Sequence, residues 1–138
     1  MDSLSSRSRR AMLALRLVIA GLLAAHGWAR LIAGGVVPFG AWLDSLGFPG
    51  GLYIAAAITA FEILGTILLA LGIRVTWLAL VYCAIYATGI VLVHWPAGWF
   101  VVGLGRNGME YSVLLISCLA LLAYVHAPAR AESVESAG

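Results

Sequence analysis

The sequence predicts an all-α protein, a transmembrane four-helix bundle with both termini on the cytoplasmic side. Three observations carry this expectation. The first is composition: of 138 residues, 63% are hydrophobic and 10% charged, and the mean hydropathy is +1.03. A soluble domain carries about 25% charged residues, and one of this length could not bury so much apolar surface. The second is the recurrence of four apolar segments, residues 11–33, 51–72, 75–94 and 108–126. Each is near the ~20 residues that cross a bilayer's hydrocarbon. The third is the lack of strict apolar–polar alternation, which leaves helices rather than a barrel to pair the backbone in lipid.

Residues 1–10, MDSLSSRSRR, read as a basic cytoplasmic tail. The apolar run after them is too long for a secretory h-region and carries Arg16, His26 and Arg30, so an uncleaved first span over 11–33 is expected. The loop Gly34–Gly50 is bracketed by glycines, and its middle, Pro38–Leu46, reads as a short interfacial helix with Pro38 in the first turn. The second span, 51–72, joins the third, 75–94, through a turn so short that the two must form an antiparallel hairpin. The loop Trp95–Gly108 is rich in glycine and is placed to cap the bundle or dip into the outer leaflet. The fourth span ends near His126, and residues 127–138 read as a disordered cytoplasmic tail. A single domain, 11–126, is expected between the tails.

Orientation follows from arginine, which supplies all eight basic residues. Arg7, Arg9, Arg10, Arg74 and Arg130 fall on one side of four crossings, whereas Arg106 and Arg30 lie toward the other. The excess places the first side, with both termini, in the cytoplasm. Trp28, Trp42, Trp95 and Trp99 then belong to the outer aromatic belt and Trp77 to the inner one. The net charge of +2 is a topology signal, and no arginine–aromatic stripe points to nucleic acid. Cys83 and Cys118 lie inside apolar runs and read as small buried residues, without a CxxC or zinc pattern. No metal site is expected, because no helix carries an HxxxH or ExxH pair.

Glu62 sits at the centre of the second span. A carboxylate at that depth costs about 2.5 kcal/mol or more, so it needs a partner, a proton or a task. At ~100° per residue, Arg16, His26 and Arg30 share an arc of about 80° on the first span, a face that lipid would not tolerate. A rise of ~1.5 Å per residue puts Glu62 roughly 15 Å from either end, with His26 above it and Arg16 below. Arg30, Arg106, His94 and Glu110 are expected to form a second, outer cluster. Together Arg16, His26, Arg30, Glu62, His94 and Glu110 are the candidate ligand-binding set, with His26 and Glu62 as the candidate catalytic pair. The competing reading makes them structural ion pairs that set helix register. Asp44 is expected to be a solvated loop residue, and His126 a bland interfacial one.

These residues fall in motifs that resemble the DoxX family of small membrane proteins. They are an arginine early in the first span, HGWAR (His26–Arg30), a loop closing in GFPGG (Gly47–Gly51), FEILGTILLALGIR (Phe61–Arg74), His94 before its Trp/Pro/Gly loop, and GMEYSVLL (Gly108–Leu115). The resemblance implies a four-helix membrane bundle and, for some members, association with thiosulfate:quinone or other membrane oxidoreductase complexes. The chain shows no flavin, haem or iron–sulfur signature, so the expected membrane subunit has no intrinsic cofactor and takes its electrons from a partner. Such a subunit would hold quinone with His26 and Glu62, and would stack it on Trp28, Phe61 or Tyr111. Partners would be the lipid bilayer and further protein subunits, with a homo-oligomer allowed. The alternatives are a non-catalytic accessory or assembly protein and, ranked lowest, a small transporter.

Overall fold

A computed structural model describes residues 2–102 and 107–128. It is all-helical, with no strand among the described residues. Helix α1 spans Asp2–Ile32, α2 Val36–Ser45, α3 Gly51–Leu71, α4 Val75–Gly89 and α5 Glu110–Val125. Beyond α4 the chain continues as a π-helical turn, Ile90–His94, and a 3₁₀ turn, Trp95–Ala97. Three helical stretches are long and apolar enough to cross a membrane: Ser5–Ile32, Gly51–Leu71 and Val75–Ala97. The fourth apolar helix, α5, has 16 residues and is shorter, about 24 Å.

The outer surface fits lipid. Val18, Leu64, Trp77, Val91 and Leu114 are all exposed, each by half or more. Apolar exposure this continuous is foreign to a soluble monomer. One boundary differs from the sequence reading. Helix α1 starts at Asp2, because no proline or glycine interrupts residues 2–20 and serine and arginine are tolerated in exposed turns. At about 46 Å it overshoots the hydrocarbon, so its basic first turns project beyond it. The expected tail beyond residue 128 lies outside the described residues.

The stops are local. Helices α1 and α3 both end in Schellman motifs: Gly35 N–H bonds Arg30 O and Ile73 N–H bonds Leu68 O, around Gly34 and Gly72 at φ +67° and +80°. Only glycine adopts that left-handed conformation without a Cβ penalty. The three-residue turn Gly72–Arg74 then returns the chain as α4.

Helix α1 packs closely on α3, and α4 on α5. Adjacent α3 and α4 instead meet through large side chains; the Tyr82 hydroxyl crosses to donate to Phe61 O at 2.7 Å. The apolar core, built from residues such as Leu23, Leu69, Leu78, Tyr82, Leu115 and Leu119, fills the half of the bundle where α1 begins and α5 ends. In the other half α2 lies against the start of α3. There a Cβ on Gly40 would stand 2.6 Å from Leu52 Cα. The Asp44 carboxylate accepts the Gly51 N–H at 2.8 Å and satisfies one of the unpaired donors at the N-terminus of α3. Asp44 is therefore not the expected loop residue: it is exposed near the end of α2 and anchors the helix pair.

Replacing Gly40 by leucine is expected to lower stability by about 1–3 kcal/mol, because the backbone of α3 cannot yield to a side chain. Unfolding in detergent micelles measures this; Gly89→Ala, which meets nothing within 4 Å, serves as the control and is expected to lose no stability.

Candidate functional site

Glu62 is 2% exposed, on the face of α3 that meets α1 and α4. Close approach makes its pairing feasible. A Cβ at Gly27 would lie 2.9 Å from Glu62 Cβ, so α1 can sit this near α3 only with glycine there. One turn further along α1, Arg30 reaches back. Its Nη1 donates to Glu62 Oε2 at 2.6 Å and to Thr59 Oγ1 at 3.1 Å. Thr59 in turn donates to Ala55 O at 2.7 Å. The other carboxylate oxygen, Oε1, accepts from the Tyr86 hydroxyl of α4 at 3.0 Å. The Arg30 guanidinium also lies 4.8 Å over the Phe39 ring of α2. A charge-assisted bond, a phenol and a threonine thus offset much of the cost of burying this carboxylate.

This arrangement corrects the expected one. Arg16 does not approach Glu62; it lies at the far end of α1, where its Nη2 donates to Ala70 O at 3.4 Å. The outer cluster does not assemble either. Arg30 turns inward, Glu110 Oε1 accepts from Val101 N–H at 2.9 Å, and His94 Nδ1 bonds Asn107 O at 2.7 Å. Arg106 lies outside the described residues. A carbonyl only accepts, so His94 carries its proton on Nδ1 in that bond. Glu110 pins the loop after Gly98 to the start of α5, where Trp99 O and Gly98 O accept the Glu110 and Met109 N–H groups.

Above the Arg30–Glu62 pair the bundle is hollow. A cleft-like cavity of about 610 Å³ is lined by all five helices. Its polar end holds His26, Arg30, Glu62 and Tyr86; its walls include Phe39, Trp42, Ile58 and Leu92, and His94 lies on its border. Arg16 and Glu110 do not line it. His26 is exposed to this space; its ring packs edge-on to Tyr86 at 6.1 Å and tilted to Tyr111 at 6.3 Å. Among the described residues neither ring nitrogen of His26 has a hydrogen-bond partner, so both remain for a ligand. Of the three expected stacking residues only Tyr111 borders the cavity. Trp28 is half exposed on the outside, and Phe61 packs at a tilt against Tyr82, with ring centroids 4.7 Å apart. Trp42, expected in the aromatic belt, stacks on Phe39 in the cavity wall.

A family model, DoxX, matches residues 11–95. The chain belongs to the DoxX family. Searches of curated proteins and of solved structures found no match. The matched stretch contains His26, Arg30, Glu62, Tyr86 and His94; Glu110 and Tyr111 lie beyond it. This DoxX protein is a multi-pass membrane protein, and its cavity is formed largely by the matched helices.

Sequence reasoning passed over Thr59, Tyr82 and Tyr86. Their signal was present: two phenols four residues apart in an apolar span each need an acceptor when buried, and only Glu62 and freed carbonyls offer one. No three His, Cys, Asp or Glu side chains among the described residues come together as a metal-binding group. Cys83 and Cys118 are half-buried free thiols, and Cys83 Sγ lies 3.7 Å from Ile116 O.

Breaking the pair from one side is expected to be severe. Arg30→Met strands the Glu62 carboxylate and lowers stability by about 3–5 kcal/mol, whereas Arg30→Met with Glu62→Leu regains most of the loss. A double-mutant cycle in micelles measures this; equal losses in single and double variants would contradict the pairing.

Proposed function

We propose that this protein is an integral membrane subunit of a respiratory or sulfur-redox oxidoreductase complex, and that its cavity receives the headgroup of a quinone. The observation that supports the reading is the cavity itself. Its volume falls within the ~300–1,000 Å³ typical of ligand sites. It joins aromatic and aliphatic walls to one polar end. A ring with two opposed carbonyl oxygens needs a donor at each side and an apolar slot between. His26 is free to donate or accept, and the unused N–H groups of Arg30 lie beside it.

The roles divide by environment. Arg30, held by Glu62 and Thr59, is a fixed donor with little reorganisation to undergo. His26 holds or releases a proton at a ring nitrogen. Tyr86 and Glu62 form the next link through which a proton can move. A bound quinone supplies the coupled electron and proton chemistry, and its electrons are exchanged with a partner subunit. By the positive-inside rule, the basic end carrying Arg9, Arg10 and Arg74 is cytoplasmic, and the cavity lies toward the opposite face of a bacterial plasma membrane.

A second reading has its own support. Arg30 and Glu62 already neutralise one another, as expected if the polar residues only hold helix register in an accessory or assembly protein. The two readings separate at His26, which serves no structural bond. Purification in native lipid followed by solvent extraction is expected to return bound quinone. In His26→Leu the bound amount falls about tenfold, the worth of one hydrogen bond near 1.4 kcal/mol, with the melting temperature unchanged. Wild-type protein free of quinone, or an unchanged quinone content in the variant, would overturn the proposal.

A further inference from the structure

A second hollow lies at the opposite end of the bundle, away from the quinone-type cavity. Ser8, Arg9, Met12, Leu13 and Arg16 of α1 face Val125 and His126 at the end of α5 across a notch of about 400 Å³. Arg9 and Arg16 are seven residues apart, on one stripe of the helix with their Cα atoms about 10.5 Å apart. Arg9 is exposed and has no partner among the described residues.

Arg16 is only partly accounted for by its protein contacts. Its Nη2 donates to Ala70 O, one of the carbonyls left over at the C-terminus of α3. Its Nη1 lies 3.2 Å from His126 Nε2. The other ring nitrogen, Nδ1, lies 2.9 Å from Leu122 O. Since a carbonyl only accepts and a guanidinium only donates, His126 donates from Nδ1 and accepts at Nε2 in this arrangement. A histidine is never an anion, so it brings no negative charge to offset the arginine. Arg16 Nε is buried without a hydrogen-bond partner. Among the described residues the one ion pair is Arg30–Glu62, so Arg16 has no carboxylate. The notch thus brings together a half-buried guanidinium with an orphaned N–H and a second guanidinium at its mouth, with no carboxylate paired to either among the described residues. Contacts with a helix C-terminus explain part of Arg16 and nothing of Arg9.

We propose that this notch binds a phosphate group between Arg16 and Arg9. Phosphate oxygens match the guanidinium fork and can serve several N–H groups at once. The notch sits where α3 and α5 end, the level at which membrane phosphates lie, so a lipid headgroup or a free phosphate could supply the group.

The full chain, delipidated in neutral detergent, tests this by thermal melting. Phosphatidylglycerol is expected to raise the melting temperature, and a phosphate-free glycolipid with the same acyl chains is not. Arg9→Gln should melt like wild type without additive and lose most of the phosphatidylglycerol shift; Arg16→Gln should lose all of it. The same shift with inorganic phosphate alone would assign the site to a free phosphate, and a shift with the lipid only would assign it to a headgroup. No shift with either, or an Arg9→Gln response equal to wild type, would overturn the proposal. So would a response that appears only in Glu132→Gln/Glu135→Gln, which would mean that the chain's own carboxylates fill the notch.

Discussion

The structure is arranged around one carboxylate that lipid cannot hold. Glu62 is almost fully buried in a helix whose other residues are nearly all apolar. Its charge is tolerable only if donors converge on both oxygens, and those donors come from two other helices. Arg30 must come from α1 and Tyr86 from α4. Gly27 must be small enough for α1 to close on α3 at that depth. One buried group therefore sets the register of three helices. It also divides the bundle into a filled apolar half and a hollow half with a polar floor.

The hollow half follows from a mismatch in helix register. Gly27 stands level with Glu62, so α3 runs about 9 Å beyond the end of α1. Helix α2 fills the space this leaves, seated on α3 by Gly40 and Gly51 and tied by Asp44. It brings Phe39 and Trp42 to the cavity wall. The π-helical turn Ile90–His94 and the loop held by Glu110 close the other side. The π-helical turn is tolerable at this depth because it is still a hydrogen-bonded helix, with Leu92 and His94 on the cavity and apolar Val91 facing outward.

Much of the helix plan was legible, because length and hydropathy decide what can cross a bilayer. The short helix at Pro38 and the hairpin at Gly72–Arg74 were legible too, from proline and glycine chemistry. Depth was not. Taking the helix ends as flush put Arg16 beneath Glu62, whereas the offset between α1 and α3 brings Arg30 to it and leaves Arg16 level with Gly72. Helical-wheel angles placed Arg16, His26 and Arg30 on one face, but they carry no information on axial shift between helices. The tyrosine partners were hidden for a related reason. A phenol in an apolar span looks like any aromatic until its distance to an acceptor is known. Glu110 and His94 were read as side-chain partners, yet both spend their bonds on backbone.

The central claim is that the polar floor made by Arg30, Glu62 and His26 is the base of a quinone site. Photolabelling with an azido-quinone in native-lipid nanodiscs, followed by peptide mapping, tests it directly. The account predicts label on the α1 segment around His26 and on the π-helical turn around Leu92, competed away by unlabelled quinone. Label confined to lipid-facing residues such as Leu64 or Trp77, or label that unlabelled quinone fails to displace, would contradict it.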